Sequence, residues 1–214
     1  MRGQAIKKIV AIFQEKGIYL SKMRALEVFS RDGSWQTICY ADKVKSLDAW
    51  EINEIYKEKL KINLPKAKIK ITDSIKEIKN KKYFSKYDLI VIDNPQGCFG
   101  VNSEYCEHFD IIPHICNLLH LEGILVFNIN KNPFGLDNFP EWKKRRSRFY
   151  GRKRTDKLSI KWLLSFYKKI FYKEKYEILF SFSVSRKDFK HNDYLHYLVY
   201  CLIGRKGRSK ACIA

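Results

Sequence analysis

Short apolar runs separated by helix-length amphipathic segments constrain this chain more than any other feature. The clearest run is Tyr87 to Ile92 (YDLIVI), stopped by Asp93-Asn94-Pro95. A second, Ile124 to Ile129, follows the break at Glu122-Gly123. A strand that is apolar throughout, rather than at alternate positions, is buried on both faces. That is the condition of a parallel sheet covered by helices.

The remaining segments supply the cover. Gln4 to Lys16 places Ile6, Ile9, Val10 and Phe13 on one helical face. Arg24 to Phe29 forms a short strand, followed by a turn at Ser30-Arg31-Asp32-Gly33-Ser34 and a helix around Trp35 to Ala41. Val44 to Glu51 holds the next strand. The helix after it carries Ile52, Ile55, Tyr56 and Leu60 inward and stops at Asn63-Leu64-Pro65. Ala67 to Ile71 alternates apolar and charged residues, as a strand near the sheet edge does, and Asp73 or Ser74 caps a helix from Ile75 to Lys79. A helix from Glu107 to Leu119 precedes the Ile124 strand.

The ending breaks this rhythm. A helix around Leu158 to Tyr172 leads into two consecutive strands, Tyr176 to Val184 and Tyr194 to Ile203, joined by a polar loop from Ser185 to Asp193. Strands linked without a helix pair antiparallel. The expectation is an α/β fold: a mostly parallel sheet with helices on both faces, closed by a hairpin. A length of 214 residues suits one domain. Within it, 1–20 is an N-terminal helix, 138–157 a basic insertion and 205–214 a basic tail.

No apolar run approaches the ~20 residues that cross a bilayer, and the first residues lack the apolar stretch of a signal peptide. A cytoplasmic protein is expected. The six cysteines form no CxxC pair and suit reduced thiols. A zinc site from Cys98, Cys106, His108 and Cys116 would match no common spacing, so no metal is expected. The formal net charge of +19 favours a phosphate-rich partner or an anionic membrane surface. AT-rich coding would inflate lysine in the same way, so clustering carries more weight than the total.

Five βα units closed by an antiparallel hairpin resemble the class I, Rossmann-like methyltransferases that use S-adenosylmethionine (SAM). The resemblance spans roughly residues 20 to 204 and implies a seven-stranded sheet whose last strand runs against the others. Ala25 to Gly33 (ALEVFSRDG) is similar to the family's first motif, an acidic residue in strand one before a glycine-rich turn. By that resemblance Glu27, Phe29, Asp32 and Gly33 line the cofactor, while Ser30-Arg31 stand where the family carries glycine.

Glu51 ends strand two, 18 positions after Gly33, near the ~20-residue separation of a carboxylate that accepts both ribose hydroxyls. Trp50 or Ile52 would pack on adenine. The competing role for Glu51 is a helix cap on a surface loop. Asp73 and Ser74 stand where the family meets the adenine amino group, and an N-cap role fits them equally. Asp93 and Asn94 end the central strand beside the crevice where open α/β sheets bind ligands. The resemblance makes Asp93 a base or orienter and Asn94 its hydrogen-bonding partner. Asp93-Asn94-Pro95-Gln96 only partly resembles the Asn/Asp-Pro-Pro-aromatic signature of amino-methylating nucleic-acid enzymes. Tyr105 and His108 would line the acceptor pocket, against plain packing or a helix start.

Lys143 to Arg154 (KKRRSRFYGRKR) is the most unusual local feature. Arg145, Arg146 and Arg148, with Phe149 and Tyr150 interleaved, would grip phosphates and stack on bases. An anionic membrane, an anionic glycan or no partner at all fits the same residues. SAM is thus the expected cofactor. The acceptor stays open between nucleic acid, towards which the basic segment tilts, and a small molecule or glycan. A non-catalytic binding protein of the same fold is the alternative. An aminopropyltransferase fits poorly with so basic a chain. A nicotinamide dehydrogenase would carry GxGxxG, which is absent.

Overall fold

The computed structural model describes residues 3–186 and 194–204. Most of the polar loop and all of the basic tail lie outside them. In chain order the elements are α1 (Gln4–Glu15), β1 (Arg24–Val28), β2 (Ser46–Glu51), α2 (Lys57–Asn63), β3 (Lys68–Ile71), α3 (Ser74–Glu77) and β4 (Tyr87–Ile92). There follow β5 (Cys98–Phe99), β6 (Tyr105–Cys106), α4 (Ile112–Ile115), β7 (Leu119–Asn130), α5 (Pro140–Tyr150), α6 (Ile160–Lys173), β8 (Tyr176–Ser185) and β9 (Leu195–Gly204).

Seven strands form one sheet in the order β3-β2-β1-β4-β7-β9-β8, and β5 and β6 pair separately. The contacts from β3 across to β7 are parallel. β9 runs antiparallel to both β7 and β8. The architecture is the expected one, with the last strand inserted between its two neighbours.

The period of the central strand explains the layers. Ile90 and Ile92 enter one core, beneath Leu163, Tyr167 and Phe171 of α6. Leu89 and Val91 enter the other, beneath Ile6, Ile9 and Phe13 of α1. Successive side chains of a strand face opposite ways, so a strand buried on both faces must be apolar at every position. No helix among the described residues is long and apolar enough to cross a membrane.

Several local expectations need correction. The helix around Trp35 to Ala41 is only a 3-10 turn, Thr37–Cys39. Ile52 and Ile55 do not face the core: they are 64% and 71% exposed and precede α2. The helix from Glu107 to Leu119 shrinks to the four residues of α4: Pro113, which offers no N–H, is tolerated only in its first turn, and Leu119 already opens β7. Glu107 has a left-handed φ of 45°, which no α-helix accommodates. The basic insertion is partly helical. Its first half is α5, closed by Gly151 at φ 63°.

Candidate functional site

The sheet order reverses between β1 and β4, the two strands whose carboxyl ends part towards opposite halves of the sheet. Such a switch point opens a crevice. Here it is a cavity of about 1090 Å³. Of the cofactor candidates, Glu27, Phe29, Asp32, Glu51, Ile52, Asp73 and Ser74 line it. So do Asp93, Asn94 and Tyr105.

The first motif builds one wall without glycine. Phe29 and Arg31 have φ of 60° and 49°, and Gly33 has 71°. Alternate residues of the turn therefore hold the left-handed backbone that favours glycine. Of the three, only Gly33 lacks a side chain, and it does not line the cavity. A Cβ there would come within 2.7 Å of Leu64 Cδ1. This glycine serves the packing of α2 against the turn, which corrects its expected contact with the cofactor. The turn is held by the Glu51 carboxylate, whose Oε2 accepts from the Arg31 N–H at 2.7 Å. Its Oε1 accepts from the Asn53 N–H at 2.9 Å. Each oxygen keeps acceptor capacity for a further donor.

Ile52 sits beside Glu51 on the cavity wall with most of its side chain uncovered. Trp50 is buried against Tyr83 and Tyr87 and cannot serve that surface. Asp73 caps α3, its Oδ1 accepting from the Ile75 N–H at 2.9 Å, while also facing the cavity.

Deeper in, Glu27 is buried and accepts hydrogen bonds from Thr37 Oγ1 at 2.9 Å and from the Tyr40 hydroxyl. Burial pushes its carboxyl up to about 8, against the lowering effect of those hydroxyls. Asp93 Oδ1 accepts from Asn128 Nδ2 at 2.6 Å and from Arg186 Nη1 at 2.7 Å. An acid so engaged is placed to orient its neighbours. Asn94 is buried, with Nδ2 donating to the Pro95 carbonyl at 2.9 Å and Oδ1 lacking a partner.

Across the mouth, Phe29 meets Phe99 edge-on at 5.8 Å, and Phe99 meets Tyr105 at 5.7 Å. The small β5–β6 pair thus carries an aromatic flap. The lining holds six carboxyl side chains, Glu27, Asp32, Glu51, Asp73, Asp93 and Glu104, against the cations Arg31, Lys76 and Arg186. A carboxylate-rich cavity in a chain of net charge +19 is a local inversion of sign.

Other expected site residues lie elsewhere. His108 is fully buried, its Nε2 bonded to the Tyr167 hydroxyl, and burial pushes its pKa down to about 3. It is a neutral core residue, not part of an acceptor pocket. Arg145, Arg146 and Arg148 do not line the cavity. Arg146 is fully buried, paired with Glu107 and bonded through Nη2 to the Asn130 and Thr155 carbonyls at 2.9 and 3.1 Å. It therefore cannot grip an external phosphate. Phe149 and Tyr150 pack inward on Phe109 and Phe166 and cannot stack on bases. Among the described residues, no group of three or more His, Cys, Asp or Glu is placed to hold a metal ion.

Reading the sequence missed Asn128, Arg186, Thr37 and Tyr40. Asn128 and Asn130 were detectable, as polar residues at alternate positions of an apolar strand, where burial demands a partner. Arg186 had no local signal, because the fold alone brings it to Asp93 from 93 residues away.

No family model matches the chain, and no curated protein matches it by sequence. Solved structures do match. Magnesium protoporphyrin IX methyltransferase from Synechocystis, with bound S-adenosylhomocysteine (SAH), is similar with a TM-score of 0.58 at 17% identity, over 93% of this chain and 82% of that one. A candidate RNA methyltransferase from Pyrococcus horikoshii gives 0.57 at 10% identity, over 94% and 84%. A candidate SAM-dependent methyltransferase from Streptococcus mutans gives 0.56 at 14%, over 88% of this chain but only 48% of that longer one. At these identities the likeness is one of fold. The chain has the fold of the class I SAM-dependent methyltransferases.

Proposed function

We propose that the chain is a SAM-dependent methyltransferase whose cofactor occupies the cavity at the carboxyl ends of β1, β2 and β4. The observation that carries this reading is the Glu51 carboxylate. It ends β2, faces the cavity, and is held by two backbone N–H groups so that both oxygens keep room for a vicinal diol. Ile52, left uncovered beside it, offers the apolar surface that an adenine ring would cover. The carboxylate-rich lining suits a sulfonium cation.

SAM, when bound, supplies a methyl group already activated by its positive sulfur. The chain's own work is to hold the two reactants in line and keep water out. Glu51 and Asp73 fix the adenosine end. Asp93, braced by Arg186 and Asn128, keeps the loop of Asn94 in one geometry at the reacting end. Phe99 and Tyr105 close the mouth over it. The non-catalytic alternative is favoured by one observation, the side chains Phe29 and Arg31 on a wall where glycine would leave space.

Calorimetric titration with SAM and with SAH separates the readings. The wild type should bind both, and Glu51→Ala should lose at least ~tenfold in affinity. Glu51→Gln, which can accept from only one of the two backbone N–H groups, should lose less affinity and melt below the wild type. A folded wild-type protein that binds neither ligand would overturn the assignment.

A further inference from the structure

The sequence places its densest positive charge at Lys143 to Arg154, and the structure sorts those cations into two groups. Arg146 is inside, and Arg145 and Lys143 are tied down: Arg145 to Glu141 at 2.9 Å and to the Glu104 carbonyl, Lys143 to Asp137 at 2.6 Å. Lys144, Arg148, Lys153 and Arg154 are exposed and take part in no ion pair among the described residues, and the same holds for Lys157 and Lys161 just beyond them. Lys144 and Arg148 are one helical turn apart on α5, so they share a face.

The surface carrying them is rigid. Phe149 stacks on Phe109 at 4.1 Å, and Tyr150 packs against Trp162 and Phe166 at 5.8 and 5.2 Å. Arg146 bonds the Thr155 carbonyl from inside, which fastens the segment after α5 to the helix itself. Arg152 then lies over Trp162, with its guanidinium carbon 4.8 Å from the ring centroid, and Trp162 stacks on Phe166 at 5.1 Å. A solvated loop would not be stapled in this way.

We infer that α5, the turn after it and the start of α6 form a platform for the phosphate backbone of a nucleic acid. Its exposed cations outnumber the exposed acids among them, Glu141 and Asp156, and Glu141 is already paired with Arg145, so net positive charge is available to a polyanion. Half-buried Trp162, stacked on Phe166, holds the Arg152 guanidinium over its ring and so fixes a further cation at the edge of that charge. A bilayer is the poorer partner. Between residues 140 and 161 every large apolar side chain is buried or half-buried, and of the exposed ones only Phe139 borders α5, too little apolar surface for insertion into a bilayer. Arg145 ties the platform to Glu104 on the cavity rim. A strand held there would therefore reach the cavity mouth. Only this last step rests on the methyltransferase reading.

The test is fluorescence anisotropy with a labelled single-stranded RNA of ~20 nucleotides across a salt series. Lys144→Glu/Arg148→Glu should weaken binding at least ~tenfold and flatten the salt dependence. Lys66→Glu/Lys68→Glu makes the same change of charge at the start of edge strand β3 and just before it, where both lysines are exposed and take part in no ion pair among the described residues. It should weaken binding by less than ~threefold. Equal losses in the two variants would overturn the platform in favour of a diffuse effect of net charge. Phosphatidylserine-containing vesicles that bind more tightly than RNA, and lose binding in the α5 variant, would overturn it in favour of a membrane. SAH titration of each variant keeps the two proposals apart: RNA binding without SAH binding retains the platform and removes the methyltransferase.

Discussion

Arg146 and Glu107 form an ion pair that neither side chain exposes to solvent. Trp142 Nε1 donates to the same Glu107 oxygen at 2.8 Å, so one carboxylate holds both the first and second turns of α5. Removing the cation leaves that carboxylate buried and unpaired, which costs about 3–5 kcal/mol. Arg146→Ala should therefore lower stability by that amount in urea titration. Arg146→Met combined with Glu107→Gln should cost less, since the uncompensated charge goes with its partner. A loss below ~1 kcal/mol in Arg146→Ala would mean that water reaches the pair.

The same pair shows why part of the fold was not legible. Trp142, Arg146, Phe149 and Tyr150 occupy the i, i+4, i+7 and i+8 positions of a helix face. With arginine at the second position, the apolar stripe is broken and the segment looks like a charged loop. Leu89 to Ile92 of β4 and Ile124 to Phe127 of β7 were legible because burial on both faces makes successive positions apolar. Glu27 followed from the resemblance of its motif, Glu51 from its spacing after Gly33, and Asp93 from its place at the end of the central strand. Asp93's partner Arg186 did not, because their meeting depends on β9 lying next to β7. The short α4 was misjudged by weighing apolar spacing above Pro113.

Glu27 gives stability a pH dependence of unusual sign for a carboxylate. Burial raises its folded-state pKa from 4.5 to about 8, so the folded protein prefers the neutral acid. The stability it contributes is complete below the unfolded value of about 4.5 and is lost as pH rises through about 8. Glu27→Gln removes this titration. Urea titrations of both proteins at pH 5 and pH 9 should show the variant gaining on the wild type at the higher pH, by on the order of a few kcal/mol. A difference independent of pH would show that Glu27 is ionised throughout.

Gly33 is held by two constraints at once. Its φ is 71°, and an added Cβ would lie 2.7 and 2.9 Å from Leu64 Cδ1 and Cγ. Gly33→Ala should cost more than ~1 kcal/mol from backbone conformation alone, with overpacking added. Thermal melting reads the loss. A melting temperature equal to that of wild type would mean that α2 shifts freely from the turn.

Arg31 should behave in the opposite way. Its φ of 49° strains an L-residue by roughly 1–2 kcal/mol, and glycine relieves that strain while losing more entropy on folding, roughly 0.5–1 kcal/mol. The guanidinium is exposed and lies 5.9 Å from the Tyr56 ring, a contact of about 0.5 kcal/mol at such a site. These effects nearly cancel, so Arg31→Gly should melt close to the wild type. Its contribution to the cavity is the backbone N–H given to Glu51, which glycine retains. SAM affinity measured by calorimetry should therefore change by less than ~threefold, under 1 kcal/mol. A loss of tenfold or more would instead assign the guanidinium a direct hold on the ligand, with a side chain replacing the bare backbone that glycine supplies elsewhere in this fold.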